Sequence, residues 1–385
     1  MSHAVELPSV GPSPAAAPAA PARLFFLDRI RVALTILVVI HHCAVTYSDV
    51  PLWYYHLAGR PGSGVPLDLL LLVNQAFFMG MFFLISGFFV PGSYERKGPK
   101  AFLRDRLLRL GAPLVAFYFV LSPIATIAGG LAARQSLGGS WWEVYLNTIG
   151  AGPLWFAEAL IAFTAGYAIW RQVSKNSAVR TEKTTEPLTY AKVGLFVVVL
   201  GVVTYGWRIF LPQGTWVPVI DFPSAAFLPQ YVGLFVVGLL ASRRGWLTTP
   251  RRGMGRIGGV AALIGMVVYL AMLIGGHGSG GPSVQAFVAA LAEAVYCVGI
   301  CLALLSLFRR TARKEGAFGR YLSQHAFTVY VIHAPLVVGV TIAMHALVPT
   351  DLALVNFALA AVIAVPLSFA LAYPVRKLPF AREVL

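Results

Sequence analysis

Arg31 and His42 stand eleven residues apart inside the first long apolar run of the chain, in the stretch LDRIRVALTILVVIHHC. An imidazole changes charge near neutral pH and can take a proton from a reacting hydroxyl, while a guanidinium grips an anion through a planar fork of donors. On an α-helix, eleven residues return to within roughly 20° of the starting face over a rise of about 16 Å, so the two side chains point the same way. Asp28, Thr35, Thr46 and Asp49 fall within about 60° of Arg31 on the same wheel, whereas His41 and Cys43 point elsewhere. With Arg31 near one interface of a hydrocarbon core about 30 Å thick, His42 comes close to the midplane. An ionisable group at that depth marks function by default; the plain alternative is a histidine bonded to a neighbouring helix for packing.

Other residues with chemical potential cluster at the ends of apolar runs. The segment RKGPKAFLRDRLLRLGAP sets Arg104, Arg106 and Arg109 where a helix enters the membrane. Three guanidiniums there suit a phosphorylated ligand held against the bilayer, or simply lipid headgroups. In FFMGMFFLISGF, Ser86 and Gly87 interrupt an aromatic and aliphatic helix, and a small residue at that point permits close helix approach. GPLWFAEALIAF puts Pro153 at a helix start and Glu158 about one turn further in, where an acid needs a partner or a wet cavity. That partner is an acceptor-side reaction centre or a structural mate such as His277 or Arg208; Glu293 poses the same question. YLSQHAFTVYVIHAPLV carries Ser323, His325, Tyr330 and His333. The directions of the two histidines differ by about 80°, so a shared metal is not favoured, and His333 is the deeper candidate. Cys43, Cys297 and Cys301 lie inside apolar runs without metal-ligand spacing and read as packing residues.

The elements that must position these residues are membrane spans. Of 385 residues, 58% are hydrophobic and 12% charged, and mean hydropathy is +0.75. Runs of about 18 or more apolar residues predict ten helices over 29–48, 68–90, 107–130, 153–171, 191–211, 225–242, 257–276, 284–308, 324–346 and 352–374, an all-α integral membrane bundle. Net charge is +15, which in a soluble protein would point to nucleic acid. Here 27 of the 30 Lys and Arg residues sit on alternate connections, leaving Arg60, Arg134 and Arg208 on the other set. By the positive-inside rule both termini are cytoplasmic, which requires an even number of spans and sets nucleic acid aside as a partner. Residues 1–22, rich in Ala and Pro, read as a disordered cytoplasmic tail rather than a cleaved leader, and 23–385 as the transmembrane domain. The clusters Trp53, Tyr54, Tyr55 and Trp141, Trp142 fit an interfacial aromatic belt, with a sugar-acceptor border as the second reading.

With these residues in order, the chain resembles the membrane-bound acyltransferase 3 family from Leu27 to about Tyr373. The resemblance rests on LDRIRVALTILVVIHH, FFLISGF, FLRDRLLRLGAP, GPLWF and YVIHAPL. Family members carry an Arg and, eleven residues later, a His in the first helix, matched by Arg31 and His42, and an Arg-x-Arg pair at the third, matched by Arg104 and Arg106. The nearest flavour is the stand-alone branch that includes glucan-modifying proteins, without the periplasmic hydrolase-like domain fused to some relatives. The resemblance implies transfer of an acyl group, often acetyl or succinyl, from cytoplasmic acyl-CoA to a hydroxyl of an extracytoplasmic glycan or similar acceptor, at the inner membrane, with no metal. It also leaves room for a periplasmic partner protein on the acceptor side. In that chemistry Arg104, Arg106 and Arg109 hold the CoA phosphates with Ser86 beside the donor. His42 acts as general base or acyl carrier, Arg31 stabilises charge on the same stripe, and Glu158 and His333 complete the catalytic set. The other class to weigh is a transporter or flippase relaying a proton or anion through Arg31, His42 and Glu158; internal repeats would favour it, and no convincing one is evident.

Overall fold

The computed structural model describes residues 24–385 except 58, 61, 136–137, 175–185, 218–220, 248–250, 252, 312–315 and 349–351. The tail expected over 1–22 and most of the TEKTTEP loop lie outside the described residues. The chain forms α1 (Phe25–Tyr47), α2 (Val65–Gln75), α3 (Phe78–Arg106), α4 (Ala112–Ala116), α5 (Ser122–Ala132), α6 (Trp141–Thr148) and α7 (Trp155–Val173). It continues through α8 (Tyr190–Phe210), α9 (Leu228–Arg244), α10 (Met254–Ile274), α11 (Val284–Thr311), α12 (Ala317–Leu347), α13 (Ala353–Lys377) and α14 (Pro379–Val384). No strand occurs among the described residues beyond an isolated bridge between Val217 and Phe222.

Nine stretches among the described residues are long and apolar enough to cross a membrane, and the second, Val65–Ala132, runs for 68 residues. At 1.5 Å per residue that stretch would measure about 100 Å, three times the hydrocarbon thickness, so it cannot be a single crossing. Its break is Gly98, whose φ of 72° no helix accepts, followed by Pro99. A left-handed glycine closes one helix and a proline opens the next. Lys97 Nζ and Asp105 Oδ2, 2.8 Å apart, bridge the bend. Divided at this turn, the nine stretches among the described residues supply ten crossings, as the apolar runs predict, with the second and third helices lengthened until they meet there. The third crossing also contains two wide π turns, Leu107–Gly111 and Phe117–Leu121, each just ahead of a proline, Pro113 and Pro123, that removes a backbone donor.

The apolar stretch of α1 is 67% buried, against 22% for α8 and α10, which makes α1 the axis of the bundle and the other two its periphery. On the lipid side the chain exposes Val260, Leu263 and Val267 of α10. That arrangement suits a bilayer, where no water penalises apolar surface and every backbone group must be bonded within the helix. The protein is a multi-pass membrane protein. Packing around the axis relies on close approach: a Cβ on Gly87 of α3 would lie 2.3 Å from the Phe235 carbonyl oxygen of α9, and one on Gly238 would lie 2.2 Å from the Leu84 carbonyl. Gly87 is thus spent on packing, as its small size suggests. α1 itself lies against α12 and α13, which brings His333 to His42.

Candidate active site at the axis of the bundle

His42 and His333 meet across the α1–α12 contact. His42 Nδ1 lies 3.1 Å from His333 Nε2, and the ring centroids are 4.9 Å apart. Each ring is also held by its own helix, with His42 Nδ1 2.9 Å from the Val38 carbonyl oxygen and His333 Nδ1 2.7 Å from that of Tyr330. A carbonyl only accepts, so both Nδ1 atoms carry the hydrogen, and the Nε2 of a neutral His333 is a bare lone pair. His42 Nδ1–H is accordingly shared between Val38 and His333, which leaves the lone pair of His42 on Nε2. His333 is fully buried, whereas His42 keeps part of its surface accessible. The pair is thus one fully buried imidazole fixing the tautomer of a second, partly buried one.

The surroundings revise two expectations. Trp53, grouped with the interfacial belt by its sequence, stacks on His42 at 4.3 Å between centroids with an interplanar angle of 26°. Trp141 and Trp142, 83% and 74% exposed, face outward. The two clusters look alike in sequence, and only the fold separates them, because the connection after α1 turns back over the end of its own helix. His41 lies edge-on to His42 at 5.4 Å and against Phe78 at 5.0 Å. Thr35 and Thr46, on the same stripe as Arg31, donate to the carbonyls of Arg31 and His42 and so bond within their own helix.

The arginines gather at the other end of α1. Arg31 is 45% exposed, its Nη1 3.7 Å from Asp28 Oδ1, and it lies within electrostatic range of Arg106. The Arg106 guanidinium sits over the Phe102 ring at 5.4 Å, with a buried Nε that has no hydrogen-bond partner among the described residues. Arg109 is engaged by Asp105, Nε to Oδ1 at 3.1 Å, and Arg104 is exposed. Ser86, on α3, is half-buried. An apolar groove of about 440 Å³, lined by Leu121, Ile332, Leu336, Leu371 and Leu378 among others, follows α12 and α13. It extends from Leu378, beside Arg376 and Lys377, to Ile332, the residue before His333. Beyond Leu378, α14 packs on the turn that carries Arg109.

Glu158 stands at the opposite end from the arginines, near Asp221 and Tyr330. It does not pair with Arg208. That guanidinium, 2% exposed, makes a two-pronged ion pair with Glu293, at 2.5 and 2.9 Å, and donates through Nε to the Ala226 carbonyl at 3.2 Å. The charges of α8 and α11 are matched to each other because the two helices are neighbours, which makes Glu293 a structural mate and leaves Glu158 without a cation among the described residues. His325 Nδ1 is 2.7 Å from the Tyr321 carbonyl, the local i to i−4 arrangement. The three cysteines are buried thiols, and Gln230 donates to Cys297 Sγ at 3.0 Å. Sequence reasoning missed Asp221; its one signal was an acid in a connection otherwise without acidic residues, between the fifth and sixth apolar runs.

A profile for the acyltransferase domain (Acyl_transf_3) matches residues 24–376. Glucans biosynthesis protein C of Escherichia coli strain K12 is 24% identical to this chain over 335 residues, covering 82% of each. The protein of the same name from Escherichia coli O157:H7 is 24% identical over 338 residues, again covering 82% of each. No solved structure matches the chain. With nearly all of the bundle matched, including α1 with its Arg31 and His42 and α12 with its His333, this protein belongs to the acyltransferase 3 family of membrane acyltransferases.

Proposed function

We propose that the protein transfers an acyl group, acetyl or succinyl, from cytoplasmic acyl-CoA to a hydroxyl of an extracytoplasmic glycan or similar acceptor, with His42 as the base. The observation that carries this reading is the histidine pair: a tautomer fixed by two carbonyls and a buried neighbour, which puts the lone pair of the partly buried His42 on Nε2. In the reaction the acceptor hydroxyl adds to the thioester carbonyl carbon while its proton passes to His42 Nε2. The C–S bond then breaks and the departing thiolate takes that proton from the imidazolium, giving an ester and free CoA thiol. His333 is a positioning residue. Its Nε2 lone pair accepts the shared Nδ1–H and stabilises the positive charge that His42 carries midway. General-base assistance of this kind contributes about 10² to 10⁴ in rate.

The donor enters from the basic end, which the bias of Lys and Arg assigns to the cytoplasm, in the inner membrane. Arg106 and Arg31, with Arg104 and Arg109 around them, suit the pyrophosphate and 3′-phosphate of CoA. Ser86 stands on the second crossing, which meets the third, carrying Arg106, at the Gly98 turn. The apolar groove from Leu378 to Ile332 suits the uncharged acyl-pantetheine arm. A relay along α1 would need polar steps between Arg31 and His42, and the hydroxyl hydrogen of Thr35, the stripe residue between them, is donated to the Arg31 carbonyl. The test is purified protein in nanodiscs incubated with acetyl-CoA or succinyl-CoA radiolabelled in the acyl group, together with cell-envelope glycan fractions. The reading predicts label in the glycan and stoichiometric free CoA thiol; label that stays with the donor under both conditions contradicts it.

A further inference from the structure

Beside the histidine pair, at the end of the bundle away from the arginines, polar and aromatic groups close into a ring that the reaction at His42 does not by itself require. It starts at Trp53, stacked on His42, whose ring meets Tyr54 edge-on at 4.8 Å. The Tyr54 hydroxyl fills the space over Gly152, where a Cβ would come within 2.0 Å of it. The Gly152 amide donates to Asp221 Oδ2 at 3.0 Å. Asp221 is within electrostatic range of Glu158, and Glu158 of Tyr330, whose hydroxyl donates to the Pro153 carbonyl. The Tyr330 carbonyl holds His333, which returns the circuit to His42.

Three features of this ring point outward from the protein to a ligand. Glu158 Oε2 and Trp53 Nε1 are buried with no hydrogen-bond partner among the described residues. Buried polar atoms in that state are costly unless something else satisfies them. Asp221 is a non-glycine residue in the left-handed region, with φ of 47°. Strain of that kind is held where a side chain must be aimed. Burial lifts its carboxyl above the usual carboxylate range, even though the amides of Gly152 and Ala151 pull it back. Lastly, neither carboxyl is joined to a cation among the described residues, and the nearby buried arginine, Arg208, is consumed by Glu293.

Carboxyls without cations, next to stacked aromatic rings, suit a ligand rich in hydroxyl hydrogens with an apolar C–H face, and they repel an anion. Resting on the acyl-transfer reading above, we propose that this ring is the acceptor subsite and that it selects an uncharged or cationic polyol over an anionic one. Glu158 and Asp221 accept hydroxyl hydrogens of the acceptor, Trp53 and Tyr54 carry its C–H face, and the hydroxyl to be acylated reaches His42 along the Trp53 edge. Sugars that bear uronates, phosphates or sulfates near the reacting hydroxyl are excluded by the same two groups.

The test measures equilibrium binding to the full chain in nanodiscs without acyl donor, read by quenching of tryptophan fluorescence. The probes are cellobiose, its uronic counterpart cellobiouronic acid, and its amino counterpart bearing glucosamine. The wild-type comparison needs no variant: cellobiose and the amino sugar bind saturably, and the uronic acid binds at least about tenfold more weakly. Glu158→Gln weakens cellobiose by about tenfold, and Glu158→Gln with Asp221→Asn closes the gap between cellobiose and the uronic acid. Trp53→Phe removes most of the quenching. Equal binding of the three sugars, or no saturable binding of cellobiose to wild-type protein, overturns the proposal, as does an unchanged preference in the double variant. These outcomes are separable from failure of the catalytic reading, because acyl transfer that survives loss of His42 overturns that reading and leaves charge selectivity untouched.

Discussion

Two of the polar clusters inside the bundle, one around Arg208 and Glu293 and one around His42 and His333, differ in how completely they are satisfied. Around Arg208 and Glu293 each charge has its counter-charge, Gln213 bonds Tyr269 at 3.0 Å and Glu293 at 3.4 Å, and the Arg208 guanidinium also lies over Phe227 at 4.7 Å. Nothing there waits for a ligand. Around His42 and His333 the rings are oriented with equal care, yet His41 Nδ1, Trp53 Nε1 and Glu158 Oε2 are left without partners among the described residues. In a low-dielectric interior a closed polar network specifies structure, whereas an oriented but incomplete one is poised for a substrate. The contrast marks the α8–α11 side as closed architecture and the α1–α12 side as the place where the proposed chemistry would occur.

Substitutions can break this contrast or sharpen it. The largest effect is expected at the closed cluster: Glu293→Ala strands the Arg208 charge in the interior, a loss of about 3–5 kcal/mol that should abolish monodisperse protein in fluorescence-detected size exclusion. Replacing both members with Met and Leu should restore the folded peak, and failure to do so would give the ion pair more than an architectural role. At the open cluster the sign is reversed, with fold kept and turnover lost. His333→Ala removes the acceptor of the shared proton and should lower kcat by about 10- to 100-fold in protein that still elutes as a monodisperse peak, and His333→Gln should recover part of it. A KM effect confined to the donor would contradict its positioning role. Arg106→Ala should raise KM for acyl-CoA by about tenfold while kcat holds, the signature of lost ground-state binding, and a rise in the acceptor KM instead would move the donor away from the basic end. Trp141→Ala and Trp142→Ala, at exposed positions, should leave initial rates within about twofold of wild type, since surface changes away from such features are nearly neutral.

Much of this was legible in the chain itself. Ten spans followed from apolar runs and from the alternation of Lys and Arg between connections, because a bilayer imposes a fixed length and a charge bias on every crossing. Arg31 and His42 stood out because the helical repeat places them on one face. What stayed hidden depends on contacts between segments far apart in sequence. Nothing in YVIHAPL says that His333 meets a residue of α1, and nothing in the tryptophan clusters says that Trp53 folds back onto His42 while Trp141 faces outward. The mate of Arg208 was equally hidden, since Glu158 and Glu293 are similar acids in similar apolar runs and only helix adjacency chooses between them. Thr35 and Thr46 erred in the other direction, sharing the functional face by helical geometry but spending their hydroxyls on their own backbone.

The central claim is that Nε2 of His42 takes the acceptor proton as the thioester is attacked. It is tested most directly by comparing wild-type protein with His42→Ala in nanodiscs, at saturating acyl-CoA and glycan acceptor, and following release of CoA thiol together with melting temperature. The account predicts that thiol release falls by at least about 10²-fold while the melting temperature stays within the error of the wild-type value. A folded His42→Ala protein that releases thiol and acylates the acceptor at the wild-type rate would contradict it.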